Sequence, residues 1–176
     1  MKGDGSGMVK LKVYERSDFP ALLQYVLPEE QAIYTTMPAV AVEACREGED
    51  KLAVLITEDE RPAGFFVLDY GSESNIYTGN EEAVIFKSFS IDQRYQGRKV
   101  AVQALNLLPE FIKRAIPYKN EILLTVHHTN VPARNLYKKC GFKDKGIKFA
   151  GESGEELVFH QSLDAAKVKI GIKMEL

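Results

Sequence analysis

The sequence contains only two cysteines and no long apolar run, and these shortages exclude several classes of protein. Cys45 and Cys140 have no CxxC spacing and no accompanying histidine cluster, so we predict free thiols and no metal site. No apolar run approaches the roughly 20 residues that span a bilayer, and the opening MKGDGSG lacks the apolar core of a signal peptide. We therefore predict a cytoplasmic protein with no membrane partner.

An excess of positive charge is missing as well. The 23 basic and 25 acidic residues leave a formal charge of -2, so no global positive field exists to hold a nucleic-acid backbone. A length of 176 residues with 45% hydrophobic residues is sufficient to bury one core. We predict a single domain over residues 8–176, preceded at residues 1–7 by a flexible N-terminus or a cloning remnant, and no nucleic-acid partner.

Apolar periodicity predicts an alternation of strands and helices, which makes an α/β fold. Strands are predicted at residues 9–14, 51–57, 63–70, 83–91, 121–126, 142–149, 156–163 and 168–174, and helices at about 18–26, 38–46, 98–115 and 130–140. The second and third strands are expected to form an antiparallel hairpin whose turn contains Pro62, and the strands at 142–149 and 156–163 a last hairpin. Ser17 followed by Asp18 is expected to cap the first helix, and Pro132 falls in the first turn of the last one. Pro109 predicts a kink or a break near Leu107, because proline removes one helical hydrogen bond. Lysines flank the last strand, which either completes the sheet or pairs with its counterpart in a homodimer. The expected fold is a mixed, mostly antiparallel central sheet with helices on both faces.

One predicted strand passes through a short polar loop into the longest predicted helix. The first turn of such a helix presents N–H groups without intrahelical partners, and the helix dipole adds positive potential, so the junction suits a pyrophosphate. Gly97 allows close approach of the backbone. Three cations surround the turn, namely Arg94, Arg98 and Lys99. An ordinary strand-to-helix turn is the alternative that this segment alone leaves open.

Some thirty residues later, a second segment combines three features of one helical unit. Asn130 is a capping residue, Tyr137 lies on the predicted exposed side of the helix, and Gly141 followed by Phe142 ends it. The two segments together are more specific than either alone.

Both segments resemble motifs of the GNAT superfamily of N-acetyltransferases. Gln96 and Ala101 match the ends of that family's acetyl-CoA loop, whereas Lys99 stands where the family usually has glycine. The family's later helix, Asn-x-x-Ala-x-x-Leu-Tyr-x-Lys-x-Gly-Phe, is matched at every position, by Asn130, Ala133, Leu136, Tyr137, Lys139, Gly141 and Phe142. The likeness covers most of the chain from Met8 to Leu163 and implies the family's acyl-CoA N-acyltransferase fold.

The resemblance implies acetyl-CoA as cosubstrate and gives individual residues their roles. Main-chain groups of Phe89 and Ile91 would pair with the pantetheine arm, and Asn130 would help to position it. The pyrophosphate would bind along the loop, at Gln96, Gly97, Arg98, Lys99, Val100 and Ala101. Tyr137 would donate a proton to the leaving thiolate, and a packing tyrosine with its hydroxyl in solvent is the alternative. Strand alternation directs Ser88 and Ser90 to the other face, and they are given no role.

The implied reaction is direct attack of a neutral amine on the thioester carbonyl, which requires a base and a hydrogen-bond donor for the carbonyl oxygen. Glu82, just before the strand, is the first candidate for the base, and His127 and His128 are further candidates. Solvated surface residues are the competing interpretation of all three.

The acceptor is expected to be a primary amine of a small molecule. An acidic set favours a cationic acceptor such as a polyamine, and it comprises Glu29, Glu30, Glu73, Glu81 and Glu82. The tract from Phe89 to Gly97 is also similar to diamine acetyltransferases. The rival hypothesis is a domain that binds acyl-CoA without catalysis, as a sensor or partner-binding module. A Rossmann nucleotide binder is excluded because no GxGxxG follows an early strand.

Overall fold

The computed structural model describes residues 7–47 and 50–163. It contains seven strands, β1 (Val9–Val13), β2 (Lys51–Glu58), β3 (Arg61–Asp69), β4 (Ala83–Ile91), β5 (Glu121–His127), β6 (Lys143–Gly151) and β7 (Gly154–Ser162). The α-helices are α1 (Phe19–Leu22), α2 (Glu29–Ala32), α3 (Pro38–Glu47), α4 (Val100–Ala115) and α5 (Val131–Lys139), with 3₁₀ turns at Arg16–Asp18 and Gln93–Tyr95. The predicted strand at 168–174 lies outside the described residues.

The strands form one sheet in the order β1-β2-β3-β4-β5-β7-β6. The β1–β2, β2–β3, β5–β7 and β6–β7 pairs are antiparallel, whereas β4 and β5 are parallel. The predicted α/β fold with a mixed, mostly antiparallel sheet and helices is therefore confirmed. Among the described residues, no helix combines the length and the apolar character needed to cross a membrane.

The chain divides into two compact units. The first comprises the chain up to Asp69 together with Phe86–Leu108, and the second comprises Tyr70–Ile85 together with the chain from Pro109 onward. The single domain expected over residues 8–176 stays a prediction, because residues 164–176 lie outside the described ranges.

In the first unit, β2 and β3 form the predicted hairpin with a tighter turn than expected. Asp59 and Glu60 alone connect the strands, with φ angles of 48° and 69°, as a two-residue type I′ turn requires. Pro62, expected in the turn, lies within β3 opposite Thr57, where the register shifts. Proline is tolerated there because an irregular pair needs no N–H donor from that residue.

The first predicted helix is shorter than expected. Its start is fixed by a capping box, in which Asp18 accepts a hydrogen bond from the Glu15 N–H at 2.9 Å, so the N-cap is Glu15 and not Ser17 or Asp18. The helix ends at Leu22 instead of continuing to Val26. A distant carboxylate explains this end, because Asp92 accepts the Val26 N–H at 3.3 Å and holds that residue outside a helix.

A hydrophobic cluster holds this unit's helices to its strands. It is formed by Leu22, Ala41, Val42, Ala53, Leu55, Phe65 and Val67, with Tyr14, Phe19, Ala39 and Cys45 packed against it. The cluster fixes α1 and α3 against β2 and β3.

In the second unit, β4 and β5 share a short parallel ladder. It joins Ala83–Ile85 to residues 121–123 and ends there. Ala83, Ile85, Leu123 and Val158 form a buried cluster beneath it, with Tyr77 and Ile147 alongside. The last two strands form the predicted hairpin with a turn at Glu152 and Ser153.

Helix α4 runs from Val100 to Ala115 with Pro109 inside it. Of the two forms that the proline prediction left open, the break is therefore wrong. Proline removes only one N–H donor from the ladder, and the surrounding hydrogen bonds continue the helix across it.

Candidate functional site

Strand β4 is irregular at Ser88, whose φ of +56° lies in the left-handed region that a non-glycine residue seldom adopts. In a regular strand Phe86 and Phe89 would face opposite sides, yet their ring centroids are 5.2 Å apart. Regular alternation is therefore interrupted at Ser88, so that Phe86 and Phe89 share a face of the sheet. Ser90 is buried and its hydroxyl forms a 2.8 Å hydrogen bond with the Tyr25 hydroxyl.

Asp92 organises the loop between β4 and α4, a role that the sequence interpretation missed. Its carboxylate is fully buried, accepts the Arg94 N–H at 2.9 Å and forms an ion pair with the Arg94 guanidinium at 2.7 Å. Burial by itself raises the pKa of Asp92, but the hydrogen bonds from Arg94 and from the Val26 N–H outweigh it and hold that pKa below its ordinary value. An aspartate two residues before a charged turn residue was the available signal.

The two arginines of the loop are matched by carboxylates of the first unit. Arg94 pairs with Asp92, and Arg98 forms an ion pair with Glu58, which is only 2% exposed. Arg98 also lies 5.6 Å from the centroid of the Tyr95 ring. Two of the three cations expected to surround the turn are thus used to shape it.

The start of α4 presents backbone donors. Among the described residues, the N–H groups of Lys99, Ala101 and Val102 donate no hydrogen bond of ordinary geometry, and the first bond at this end is from the Gln103 N–H to the Lys99 carbonyl at 3.1 Å. Gly97 has a φ of +76°, and a Cβ added there would meet nothing within 4 Å. The loop therefore offers unpaired amides, open space and the positive end of a 16-residue helix.

Gln96 closes the loop onto the strand. Its amide nitrogen donates to the Ile91 carbonyl at 2.8 Å, and its amide group exchanges hydrogen bonds of 2.8 and 3.2 Å with the Gln31 amide on α2. Gln96 therefore holds the end of β4 and α2 to the loop through its side chain. Gln31 carried no sequence signal, since it lies 65 residues from its partner.

Lys99 has a side chain where the GNAT pattern has glycine, but its backbone adopts a conformation that suits glycine. Its φ of +63° is the left-handed conformation that glycine adopts without steric cost. The structure thus explains why glycine suits this position. It also shows that lysine keeps the loop shape at an energetic cost.

Replacing Lys99 with glycine should consequently stabilise the protein. We expect Lys99→Gly to raise the free energy of unfolding in urea by up to about 1 kcal/mol, because the left-handed strain is relieved. Lys99→Ala removes the same charge but keeps the strain, so it should give no such gain. Equal unfolding midpoints for the two variants would show that the strain is absent.

In the second unit, Asn130 caps α5. Its side-chain oxygen accepts the Ala133 N–H at 3.3 Å, and its carbonyl accepts the Arg134 N–H at 3.1 Å. The side-chain amide nitrogen donates to no described residue, and the residue is half-buried. Asn130 can therefore cap the helix and still donate a hydrogen bond to a ligand.

Tyr137 lies on α5, is 8% exposed and packs edge-to-face on Phe142, with 5.7 Å between ring centroids. Gly141 follows with a φ of +96°, as the predicted left-handed cap requires. Burial raises the pKa of the Tyr137 hydroxyl above its ordinary value, which keeps the phenol protonated at neutral pH. The predicted exposed position of Tyr137 is therefore wrong, because its ring packs on Phe142. Its role as the acid and the alternative of a packing tyrosine both stay predictions.

The candidate bases have partners of their own. Glu82 accepts a hydrogen bond from the Asn120 side chain at 2.8 Å, just before β5 begins, whereas Asn130 follows the end of that strand. The seven residues of β5 span about 20 Å from end to end. The structure therefore places Glu82 and Asn130 beyond opposite ends of β5.

His127 uses both ring nitrogens. Nε2 lies 2.9 Å from the Ser153 carbonyl, so it carries the proton, and Nδ1 accepts from the hydroxyl and N–H of Thr129 at 2.7 and 3.2 Å. His128 is exposed and stacks on the His127 ring at 4.8 Å. Of the two histidines, His128 is the more accessible.

Comparison with known sequences supports the family resemblance that the loop before α4 and the segment from Asn130 to Phe142 carry. A family model described as the acetyltransferase (GNAT) family matches residues 15–142. The protein described as uncharacterized N-acetyltransferase YbbJ of Bacillus subtilis (strain 168) is 33% identical over 156 residues, which are 88% of this chain and 98% of that protein.

Solved structures share the fold at low sequence identity. The aminoglycoside acetyltransferase AAC(6')-Ib in complex with coenzyme A and kanamycin has a TM-score of 0.71 at 15% identity, covering 88% of this chain and 95% of that one. A chimera of the spermidine N-acetyltransferase SpeG from Vibrio cholerae has a TM-score of 0.66 at 17% identity, covering 89% and 96%. At these identities the likeness shows the fold alone.

Proposed function

Because the chain belongs to the GNAT family of acetyltransferases and is therefore an acetyl-CoA-dependent acyltransferase, we propose that it acetylates a primary amine of a small molecule. The observation that carries this proposal is the set of unpaired N–H groups of Lys99, Ala101 and Val102 at the start of α4. These donors suit the diphosphate of coenzyme A, since anions bind where a helix begins. The open space at Gly97 lets a ligand approach the backbone closely.

The remaining binding roles follow from the family resemblance and from the position of each residue. The resemblance gives the main-chain groups of Phe89 and Ile91 to the pantetheine arm, and both residues lie beyond Ile85, where the β4–β5 ladder ends. Asn130 supports the same arm through its available amide nitrogen. Gln96 acts indirectly, because its side chain fixes Ile91 and the loop.

Acetyl-CoA supplies an acetyl thioester whose carbonyl carbon a neutral amine can attack directly. The new C–N bond forms as the C–S bond breaks, the ammonium proton leaves to a base, and Tyr137 gives its phenolic proton to the departing sulfur. The N–H groups of the irregular part of β4, near Phe89, are candidates to stabilise the carbonyl oxygen. Glu82 remains a prediction as the base, although its bond to Asn120 gives it a structural task, and the exposed His128 remains the second candidate.

A polyamine is the first acceptor class to test. The acidic residues that favour it include Glu29 and Glu30 on the exposed face of α2 and Glu81 and Glu82 before β4. One structural neighbour is named for spermidine and another for aminoglycosides, and both of these are small molecules with several amines. A cytoplasmic location and a homodimer stay predictions.

Calorimetric titration with coenzyme A tests the diphosphate site. We expect Ala101→Glu to weaken binding by about tenfold, since a carboxylate at the start of α4 repels the diphosphate. The helix itself should stay folded, because a negative charge at its N-terminus interacts favourably with the helix dipole. Leu107→Glu adds the same charge at an exposed position later in the same helix and should leave binding unchanged. Equal affinities for the two variants would place the diphosphate elsewhere.

A thiol-release assay separates the enzyme from its non-catalytic rival. Acetyl-CoA is mixed with the protein and with polyamines, amino acids, aminoglycosides and peptide amines in turn, and free coenzyme A is measured. Release above the rate without protein for one acceptor class supports catalysis. Tight binding of coenzyme A without release for any amine would support the sensor or partner-binding module.

A further inference from the structure

The first unit contains a cavity of about 250 Å³ beside α3. Val40, Ala41 and Ala44 of α3 and Val67 of β3 provide its apolar wall. Pockets for drug-sized ligands usually have about 300–1,000 Å³, so this space suits a small molecule or one end of a longer one. None of the roles assigned above to acetyl-CoA-binding residues uses it.

The charged groups of this cavity are both positive. Among the described residues that line it, Lys51 and Lys87 carry ammonium groups and none carries a carboxylate. Asp69 stands behind them, 3.1 Å from the Lys87 ammonium and opposite Lys51 in the β2–β3 ladder. Asp69 thus lies beside two ammonium groups, and the described lining of the cavity has an excess of positive charge.

The cavity reaches the irregular part of β4. Ser88, with its left-handed φ, lines the cavity, and Phe89 follows it directly in the chain. A molecule that fills the cavity therefore lies next to the main chain near Phe89, whose N–H groups are proposed above to stabilise the thioester carbonyl oxygen. An acceptor needs this position, because its amine must reach the thioester carbonyl.

We propose that this cavity binds the acceptor of the acetyl transfer, and that the acceptor carries a carboxylate on an apolar stem. This inference rests on the proposed acetyl transfer to a primary amine, and it replaces the polyamine with an acceptor that carries a carboxylate. The stem packs on Val40, Ala41 and Val67, the carboxylate pairs with Lys51, and the amine extends toward Ser88. A polyamine fits less well, because its second ammonium would face two lysines without a carboxylate in the lining.

Cys45 makes the cavity measurable without turnover. It lines the cavity and is half-buried, whereas the other free thiol, Cys140, is buried and belongs to the second unit. Alkylation of each cysteine by iodoacetamide can be followed by mass spectrometry, so that Cys140 serves as an internal control for unfolding. A ligand in the cavity should slow the alkylation of Cys45 alone.

Three amines of equal chain length separate the possible occupants. We expect 6-aminohexanoate, near saturation, to slow Cys45 alkylation about fivefold, and hexylamine and 1,6-diaminohexane to have little effect at the same concentration. Lys51→Gln should abolish the protection by 6-aminohexanoate, whereas Lys143→Gln, an exposed lysine of β6, should retain it. Equal protection by all three amines, greater protection by the diamine, or no protection would each overturn the carboxylate proposal.

The result is distinguishable from failure of the proposed function. If coenzyme A binds and is released with other amines while 6-aminohexanoate neither protects Cys45 nor reacts, the cavity inference alone is overturned. If Cys45 is protected but coenzyme A does not bind, the proposed transfer is overturned instead. In the thiol-release assay, 6-aminohexanoate should exceed hexylamine in kcat/KM by about tenfold, the contribution of one charged hydrogen bond.

Discussion

Tyr137→Phe should lower kcat for acetyl transfer by about 100-fold, the lower end of what a positioned general acid contributes. The substitution removes one hydroxyl, keeps the ring that packs on Phe142, and leaves a thiolate to depart without a proton. The affinity for coenzyme A should change little, since the hydroxyl is assigned to the leaving sulfur and not to the diphosphate. Steady-state kinetics with a saturating amine, together with calorimetric titration of coenzyme A, measure the two quantities.

A matched control removes the same atom elsewhere. Tyr118 is 60% exposed, so Tyr118→Phe should leave kcat unchanged. Because burial raises the pKa of the Tyr137 hydroxyl, the phenol stays protonated at neutral and mildly alkaline pH. Deprotonation of Tyr137 should therefore not lower kcat in that pH range. If Tyr137→Phe reduced affinity for coenzyme A while turnover at saturation was unchanged, Tyr137 would be a binding residue and not the acid.

Asp92→Ala should have the largest effect on stability and should also abolish tight binding of coenzyme A. The fully buried carboxylate accepts N–H groups from Val26 and Arg94 and pairs with the Arg94 guanidinium. Its removal leaves the Val26 and Arg94 N–H groups and the Arg94 guanidinium without this acceptor and frees the loop before α4. We expect a loss of about 3 kcal/mol in the free energy of unfolding, measured in urea.

Asp18→Ala is the control for Asp92→Ala. Asp18 also accepts one backbone N–H, that of Glu15, and pairs with a cation, Lys12 at 3.0 Å, but it lies at the start of the first helical segment and not in the loop before α4. Its loss should cost about 1 kcal/mol, as for other helix caps, without changing the affinity for coenzyme A. Equal losses of affinity in the two variants would show that Asp92 does not specifically organise the loop.

The same carboxylate predicts a dependence of stability on pH. The pKa of Asp92 in the folded protein lies below the value of about 3.9 that an unfolded aspartate has. The ionised Asp92 therefore stabilises the fold fully above about pH 4, and this contribution is lost as pH falls through the lower folded-state value. In Asp92→Ala, the free energy of unfolding, measured in urea at a series of pH values, should fall less steeply below about pH 4 than in the unchanged protein.

Local patterns were sufficient to predict much of the fold. Strand β4 occupies Ala83–Ile91, as predicted, because a short run rich in β-branched and aromatic residues and bounded by polar loops is typical of a strand. The Asn130 cap, the proline in the first turn of α5 and the left-handed Gly141 were also predictable, since each depends on its immediate neighbours. The roles of individual site residues in binding and catalysis remain predictions.

The sequence by itself determined the family, the order of strands and helices, and the two segments that carry the resemblance, because these depend on residue types at short spacings. Only the tertiary structure decided how the loop cations are used, since Arg98 meets Glu58 and Gln96 meets Gln31 across 40 and 65 residues of chain. It also decided which face of β4 follows Ser88, and it formed the cavity lined by Lys51 and Lys87. Contacts between distant residues form only when the core packs, so local periodicity does not contain them.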